Sequence, residues 1–174
     1  MRLFLVAGKA GSGKATVAKC IKEYYIYKLE DSVITSYSKY IKLFAKELTD
    51  WDGQPNTKPR KFLQKTGAEL RKMDPNYFTR RMTEDIEYYQ NHVKNVIIDD
   101  VRMPNEIEKM YESFDNVYSF CVLNQFAPSK LSIDEQADIT ETALEEYTDF
   151  DYTIINDDEK TLKDKVFKIL EEID

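Results

Sequence analysis

Short apolar runs alternate along the chain with longer segments in which apolar residues recur every three or four positions. The run at 3–7 is apolar throughout and stops at Gly8, as a strand buried in a parallel sheet would. In the segment that follows, Val17, Ile21 and Tyr24 share one face of a predicted helix. We predict strands at residues 3–7, 32–37, 95–100, 117–123 and 152–155. We predict helices at residues 16–28, 40–48, 59–73, 76–91, 104–111, 140–147 and 160–173.

This alternation predicts an α/β fold, in which a parallel sheet carries helices on both faces. A length of 174 residues fits one domain, so we expect residues 1–174 to fold as a unit. The stretches 53–59 and 125–134 are the best loop candidates. The second of them contains Pro128, and we expect residues 125–138 to include a small mobile lid.

Charge is unevenly distributed along the chain. The net charge is −7, which argues against a general nucleic-acid coat. Residues 131–174 hold 15 acidic residues against 4 lysines, so the first 130 residues sum to +4. We therefore expect a small anionic ligand to bind within the first three quarters, and the acidic remainder to be a solvated surface.

The chain shows no sign of export or membrane insertion. No apolar run approaches the roughly 20 residues that span a bilayer, and the first residues do not resemble a secretory signal. Cys20 and Cys121 lie far apart without metal-binding spacing, and two lone thiols fit a reducing compartment. We expect a cytoplasmic protein with neither membrane nor nucleic-acid partners.

Residues 8–14 read GKAGSGK and match the phosphate-loop pattern G-x-x-x-x-G-K between a predicted strand and a predicted helix. Glycines permit positive φ, so successive backbone N–H groups can point at one anion, and the helix N-terminus adds positive potential. Lys14 would supply a full charge to the β- and γ-phosphates of a nucleotide. The alternative is a glycine-rich turn without a ligand. The candidate nucleotide-binding residues are Gly8, Ala10, Gly11, Ser12, Gly13, Lys14, Ala15 and Thr16.

Ala15 stands where such loops usually carry a Ser or Thr hydroxyl that binds Mg²⁺. Thr16 does not replace that hydroxyl, because one residue along a helix rotates the side chain by about 100°. We expect the phosphate grip to survive and direct ligation of the metal by the protein to weaken. A carboxylate could hold Mg²⁺ through water, since this ion usually keeps several waters.

Two acids end the predicted strand at 95–100. Asp99 and Asp100 would lie at the carboxyl edge of the sheet, where ligands bind in such folds, and are the candidate metal ligands. We expect only one of them to face the site, because adjacent residues of a strand point to opposite faces. Arg102 would lie on the side of Asp100 and could meet a phosphate or pair with an acid. The alternative is two acids that simply cap a strand at the surface.

The predicted helix at 59–73 carries a polar stripe. Arg60, Gln64, Gly67 and Arg71 are spaced i, i+4, i+7 and i+11 and so share one face. Two arginines can clamp a phosphate, a glutamine can read a base edge, and a glycine lets a flat ring approach. This makes the four residues candidates for substrate binding. The alternative is an ordinary solvated helix face.

Four segments together resemble the phage and bacterial deoxynucleoside monophosphate kinases, a branch of the P-loop nucleoside monophosphate kinases. They are AGKAGSGKATVA, RKFLQKTGAELRKMDPNYF, VIIDDVRMPNEIE and ITETALEEYTDFDYTIIND, and they span residues 7–158. The phosphate loop alone would be unspecific, and its combination with R…LQKxG…R and DDVRxPNE is more selective.

The resemblance implies a P-loop kinase three-layer fold around a five-stranded parallel sheet, with a helical acceptor-binding region at about residues 38–92. It implies transfer of the ATP γ-phosphoryl group, with Mg²⁺, to a (deoxy)nucleoside monophosphate. It places Lys14 on ATP, Arg60, Gln64 and Arg71 on the acceptor, and leaves a homodimer open. Asp100 and Arg102 would lie between the two substrates. The candidate catalytic residues are thus Lys14, Arg71, Asp100 and Arg102.

Two positions depart from the family pattern. Asp commonly follows the loop lysine in that family, where this chain has Ala15, and His is often found where this chain has Asp138. Other functions stay open beside the monophosphate kinase. One is a P-loop kinase for another small phosphorylated acceptor, such as phosphomevalonate, and another is a nucleotide-binding module impaired by Ala15. A kinase for DNA or RNA ends is disfavoured by the absence of a contiguous basic track.

Overall fold

The fold of the chain is that of a computed structural model, which describes residues 1–54, 56–124 and 131–174. The sheet has five strands: β1 (Arg2–Ala7), β2 (Ser32–Thr35), β3 (Asn95–Val101), β4 (Val117–Leu123) and β5 (Tyr152–Ile155). The described residues also form eight helices: α1 (Lys14–Tyr27), α2 (Lys39–Leu48), α3 (Arg60–Met73), α4 (Tyr77–Tyr89), α5 (Pro104–Ser113), α6 (Ile133–Gln136), α7 (Ile139–Thr142) and α8 (Glu159–Ile173).

All strand pairs in the sheet are parallel, and the order across it is β2-β3-β1-β4-β5. The α/β fold class and the five-stranded parallel sheet are therefore confirmed. The order makes β1 and β3 neighbours at the centre of the sheet, so the loop after β1 and the acids at the end of β3 meet at one edge.

Both faces of the sheet are covered by helices, because the strand residues are apolar on both sides. Leu3 and Leu5 point into a core shared with α2 to α5. Phe4 and Val6 point into a second core shared with α1 and α8. The central strands are buried from Leu3 to Ala7 and from Asn95 to Ile98, which explains their continuous apolar pattern.

The end of β3 contains an irregularity that matters for the site. Leu5 is paired with Ile98, but Ala7 is paired with Val101. Between these two pairs β3 therefore contains one residue more than β1. An extra residue bends a strand and re-aims its side chains. The bulge falls on Asp99 and Asp100.

The chain between β4 and β5 departs most from our expectation. The proposed lid at 125–138 falls partly outside the described residues, and its described part contains Leu131 and the short helix α6. The predicted helix at 140–147 is wrong in its second half, since α7 ends at Thr142. Tight turns follow, with amide-to-carbonyl bonds from Glu145 to Thr142 (3.0 Å) and from Tyr147 to Leu144 (3.3 Å). These turns place Leu144 and Tyr147 against the core at the same spacing that a helix would, which is why the pattern predicted one.

In the described ranges, no helix has the length and apolar content needed to cross a membrane.

Candidate active site at the carboxyl edge of the sheet

A cavity of about 470 Å³ opens at the carboxyl ends of β1 and β3. It runs from the loop after β1 to helices α2 and α3, and α7 forms part of its wall. Most sequence-predicted site residues line it: Ala10, Gly11, Gly13, Lys14, Ala15, Arg60, Gln64, Gly67, Arg71, Asp99, Asp100 and Arg102. Gly8, Ser12 and Thr16 lie in or beside the loop but do not line the cavity.

The loop at 8–14 has the glycine-dependent geometry that its motif predicts. Gly8, Gly11 and Gly13 have φ values of 142°, 81° and 105°, which favour glycine. A Cβ atom on Gly8 would lie 2.4 Å from the carbonyl oxygen of Val122, so the loop also needs glycine for space. Asn156, just after β5, donates from its side chain to the carbonyl of Ser12 at 2.9 Å and holds the loop against the sheet.

Lys14 is the first residue of α1 and is buried. Its Nζ donates to the carbonyl oxygens of Gly8 and Lys9, both at 2.7 Å. Burial and, after it, repulsion from the nearby Arg102 guanidinium lower the pKa of Lys14 to about 7, although the Glu141 carboxylate opposes the shift. The loop therefore holds a cation whose charge is poorly compensated by its own surroundings.

The loop also contains groups that would suit an anion. The backbone amides of Gly11, Gly13 and Lys14 donate to no acceptor within the part of the chain that the structure describes. The Ser12 hydroxyl is buried and likewise has no hydrogen-bond partner among the described residues. Buried donors without partners are costly, so the loop fits a polyphosphate that would satisfy them. Ala15 contributes only a methyl group to the cavity.

Asp99 and Asp100 both line the cavity, so the expectation that only one would face the site is wrong. The bulge in β3 is the physical reason, because it breaks the alternation of side chains at this point. The two acids nevertheless have different surroundings.

Asp100 is fully engaged with the start of α2. One carboxylate oxygen accepts the Tyr37 amide at 2.7 Å, and the other accepts the Ser38 amide at 3.1 Å and the Ser38 hydroxyl. These bonds satisfy donors at a helix N-terminus, as capping residues do. Asp100 thus ties α2 to the end of β3.

Asp99 is the acid with free coordination capacity. Its side chain accepts no hydrogen bond from another residue that the structure describes, and burial, together with the neighbouring Asp100 charge, raises its pKa to about 6. A carboxylate that is buried without a partner fits a cation such as Mg²⁺. Across the described ranges, no three carboxylate, histidine or cysteine side chains converge as a metal site would. Asp99 would therefore share the ion with water and substrate oxygens.

Helix α3 presents the predicted stripe to the cavity. Arg71 stacks on Phe78 with its guanidinium carbon 4.6 Å from the ring centre and lies 3.5 Å from a carboxylate oxygen of Glu106. Gly67 is buried, and a Cβ atom there would come within 3.2 Å of the Arg71 guanidinium. Gln64 donates to the carbonyl of Glu135 at 3.3 Å, which links α3 to α6.

Glu106 is a buried acid in the cavity wall that the sequence analysis missed. Burial raises its pKa to about 7, although it accepts the backbone amides of Arg102 (2.8 Å) and Met103 (3.2 Å) and faces Arg71. It lies at the start of α5 and positions both arginines. The sequence signal was present in DDVRxPNE, where an acid follows proline at a helix start.

Two lysines beside Arg60 were also missed. Lys42 and Lys58 line the cavity, and none of the three cations has an ion-pair partner among the described residues. Burial, together with repulsion from Lys42 and Arg60, lowers the pKa of Lys58 to about 8. The net positive charge of the first 130 residues was the only signal, and it could not place these side chains together.

Arg102 and Glu141 form an ion pair over the phosphate loop. Arg102 Nη1 lies 2.8 Å from Glu141 Oε2 and also donates to the carbonyl of Thr140 at 3.2 Å. The same Glu141 oxygen accepts the backbone N–H of Ala10 at 2.8 Å. The expectation that the acidic last quarter is only a solvated surface is therefore wrong at Glu141, which is 8% exposed.

This chain is similar to known proteins in its structure and not in its sequence. No protein-family model and no curated protein matches the sequence. The fold is similar to that of the APS kinase of Mycobacterium tuberculosis in complex with AMPPNP and APS, with a TM-score of 0.60 and 9% identity over 98% of this chain and 95% of that one.

Two further solved structures are similar over nearly the whole chain. A sugar kinase from Janibacter has a TM-score of 0.58 at 11% identity, with 98% of this chain and 95% of that chain covered. Shikimate kinase from Aquifex aeolicus has a TM-score of 0.50 at 14% identity, with 99% and 97% covered. These likenesses show the fold, and the protein therefore has the three-layer α/β fold of the P-loop kinases.

Proposed function

We propose that the protein transfers the γ-phosphoryl group of ATP to a (deoxy)nucleoside monophosphate. One observation carries this proposal: a single cavity joins the phosphate loop to the cationic face of α2 and α3, with Asp99 among its lining residues. Asp99 interacts electrostatically with Lys14 on the loop side and with Lys42 on the other side. Such a cavity suits two anionic substrates that meet over one metal ion.

The donor end would be the loop. Its unpartnered amides and Lys14 would hold the phosphates of ATP, whose negative charge offsets the burial of Lys14. Asp99 would hold Mg²⁺, which would offset negative charge on the transferred group. Because Ala15 offers no oxygen and Asp100 is committed to α2, Asp99 would be the main protein contact of the ion.

The acceptor end would be the cluster of Lys42, Lys58 and Arg60. Three unpaired cations around one side of a cavity suit a phosphomonoester dianion. The base would lie along α3, where Gln64 offers an amide and Gly67 leaves room. A neutral sugar would leave these three cations without a partner, and shikimate would offer them a single carboxylate charge, which favours a phosphorylated acceptor with its dianionic group.

The chemistry would then require little of the protein beyond positioning. An acceptor phosphate oxygen forms a bond to the γ-phosphorus while the bond from that phosphorus to the β–γ bridging oxygen breaks, and ADP leaves with the electron pair. No general base is needed because the attacking oxygen is already anionic. Lys14, Arg71 and Arg102 would stabilise the charge in transit.

The test is a coupled assay for ADP with each of the four deoxynucleoside monophosphates and their ribose counterparts. We expect at least one to raise ADP formation well above the rate without acceptor. If none does, and Ala15→Ser and Ala15→Asp do not restore it, the proposed transfer is wrong. Phosphomevalonate in the same assay addresses the rival acceptor. Tight ATP binding without turnover for any acceptor would favour a nucleotide-binding module.

A variant of the cationic cluster separates the acceptor end from the donor end. Lys58→Met should raise the KM for the acceptor about tenfold or more, since losing one charged contact costs on the order of 1.5 kcal/mol or more. The KM for ATP should stay nearly unchanged. Lys65→Met is the matched control, because Lys65 lies on the exposed face of α3. Equal effects of both variants would contradict the assignment of the cluster.

A further inference from the structure

Glu141 occupies the place on the phosphate loop that an anion would take. Its Oε2 atom accepts a hydrogen bond from the Ala10 backbone N–H and forms an ion pair with the Arg102 guanidinium, and both nitrogens lie 2.8 Å away. A loop amide and an arginine are also the donors that a phosphate oxygen uses. The carboxylate is 8% exposed and lines the cavity beside Gly11 and Lys14.

The carboxylate is carried on the short helix α7. α7 is a single turn, and Asp138 caps it by accepting the Thr140 amide at 2.9 Å. Beyond α7, Glu145 forms an ion pair with Lys9 in the same loop, but both of these side chains are largely exposed. Exposed ion pairs contribute little to stability, so this second contact does little to fix the segment.

A phosphate oxygen bound to the Ala10 N–H and the Glu141 contact exclude each other. The Ala10 N–H has one hydrogen, and the carboxylate already uses it. A phosphate at the loop would also lie against the like charge of Glu141, which opposes binding. The Arg102 guanidinium would then pair with the phosphate instead of with Glu141.

We propose that Glu141 is a positioning residue whose carboxylate takes the place of a nucleotide phosphate on the free phosphate loop. The donor nucleotide displaces this carboxylate. Arg102 is thereby released and can reach the reacting phosphates. This inference rests on the donor site proposed above and not on the identity of the acceptor. In the free protein the carboxylate offsets the repulsion between Arg102 and the buried Lys14. In the complex the triphosphate takes over that role, so Arg102 is delivered only when the donor is present.

Calorimetric titration with ATP, in EDTA and in excess Mg²⁺, tests the displacement. Glu141→Gln keeps the size of the side chain and an acceptor for the Ala10 amide, but it removes the competing charge. We expect it to tighten ATP binding about five- to tenfold under both conditions. A residue that merely supported the fold would weaken binding when changed. Glu145→Gln is the matched control, since it removes one acidic charge near the loop outside the cavity, and it should change the affinity less than twofold.

Several results would overturn the inference. The first is ATP binding by Glu141→Gln that is unchanged or weaker, and the second is an equal gain in ATP affinity in Glu145→Gln. The third is a loss of ATP affinity in Glu141→Gln that occurs only with Mg²⁺, which would make Glu141 a metal ligand. The absence of ATP binding in the unaltered chain and both variants would also overturn it.

Hydrogen exchange on the unaltered protein gives a second test that needs no variant. With AMPPNP bound, amides at residues 8–14 should exchange more slowly, while those at 139–145 should exchange faster because α7 loses its contacts with the loop. Slower exchange in both segments would mean that Glu141 stays in place, which contradicts displacement.

The two proposals can fail separately. A kinase that phosphorylates a nucleoside monophosphate, but whose Glu141→Gln variant binds ATP no more tightly, loses this inference alone. A chain in which the variant tightens ATP binding as expected, but which forms no ADP with any acceptor, loses the proposed transfer alone.

Discussion

Among the residues that the structure describes, no carboxylate is in hydrogen-bond contact with Lys14, and its bonded acceptors are the backbone carbonyls of Gly8 and Lys9. A buried ammonium group in this position gives up its proton more readily than usual, which is why the pKa of Lys14 falls to about 7. Phosphate binding reverses this, because added negative charge favours the protonated form. If the loop holds the donor nucleotide as proposed, ligand binding and protonation of Lys14 are coupled there.

ATP binding should accordingly take up a proton. At pH 8 free Lys14 is mostly neutral, so the uptake should approach one proton, and it should fall to about half a proton at pH 7, where the group is half protonated. Calorimetry in EDTA, with buffers of different ionisation enthalpy, measures the uptake. Lys58→Met is the control and should leave the uptake intact. A binding enthalpy at pH 8 that does not depend on the buffer would contradict the prediction.

The two neighbouring acids should differ in their effects on stability. Asp100→Ala removes three hydrogen bonds at the start of α2 and should lower the free energy of unfolding by about 1–3 kcal/mol. Asp99→Ala removes no hydrogen bond to another residue that the structure describes. The raised pKa of Asp99 means that its charged form is destabilised in the fold at pH 7, so this variant should be as stable as the parent or more so. Urea unfolding at pH 7 measures both, and equal losses would be evidence against distinct roles.

Among the helices, α3 contains a glycine at an interior position where alanine would make the helix more stable. Gly67 lies in the interior of a 14-residue helix, where glycine costs about 1 kcal/mol relative to alanine. The space beside it is used by the Arg71 guanidinium, which reaches toward Glu106. Gly67 therefore lowers the stability of the helix but leaves the space that the Arg71 guanidinium occupies.

Gly67→Ala should separate stability from activity. The new Cβ meets the mobile end of Arg71 at 3.2 Å, so the side chain can move aside and the variant should gain about 0.5–1 kcal/mol in unfolding free energy. Displacing Arg71 should raise the acceptor KM severalfold. Ala68→Gly on the exposed face of the same helix is the control and should lose stability without a change in KM. Loss of stability in Gly67→Ala would show that the backbone cannot accept a side chain there.

At the scale of the whole molecule, the order of the strands brings distant parts of the chain to one edge of the sheet. β1 and β3 are adjacent, although 87 residues separate Ala7 from Asn95 in the numbering. The cavity accordingly draws on residues from Ala10 to Glu141. Substrates that bridge it should hold these segments together against unfolding.

Thermal unfolding should report that bridging. With saturating AMPPNP, an acceptor present at 100 times its Kd adds about 2.7 kcal/mol, which for a chain of this size raises Tm by roughly 5–10 °C. The monophosphate that gives the largest shift should also be the best substrate in the coupled assay. Inorganic phosphate and the unphosphorylated nucleoside are the controls. The prediction fails if no nucleoside monophosphate raises Tm more than inorganic phosphate does.

Much of the fold could be predicted from local patterns of apolar and polar residues. The apolar run before Gly8 and the helix after Lys14 required only periodicity and the phosphate-loop motif, and four residues of α3 were grouped correctly by helical spacing. Prediction failed where tertiary contacts replaced local ones. The apolar spacing of Leu144 and Tyr147 resembled a helix, and the bulge in β3 turned both Asp99 and Asp100 toward the cavity.

The sequence by itself determined that a strand, a glycine loop and a helix would follow one another at residues 2–27, because backbone dihedrals and helix ends are local properties. The cytoplasmic location, the homodimer and the acceptor class remain predictions. Only the tertiary structure decided that Lys42 and Lys58 join Arg60, that Asp100 anchors α2 while Asp99 stays free, and that Glu141 covers the loop. The physical reason is that charge interactions depend on distance and burial, and both are set when segments far apart in the chain pack against one sheet.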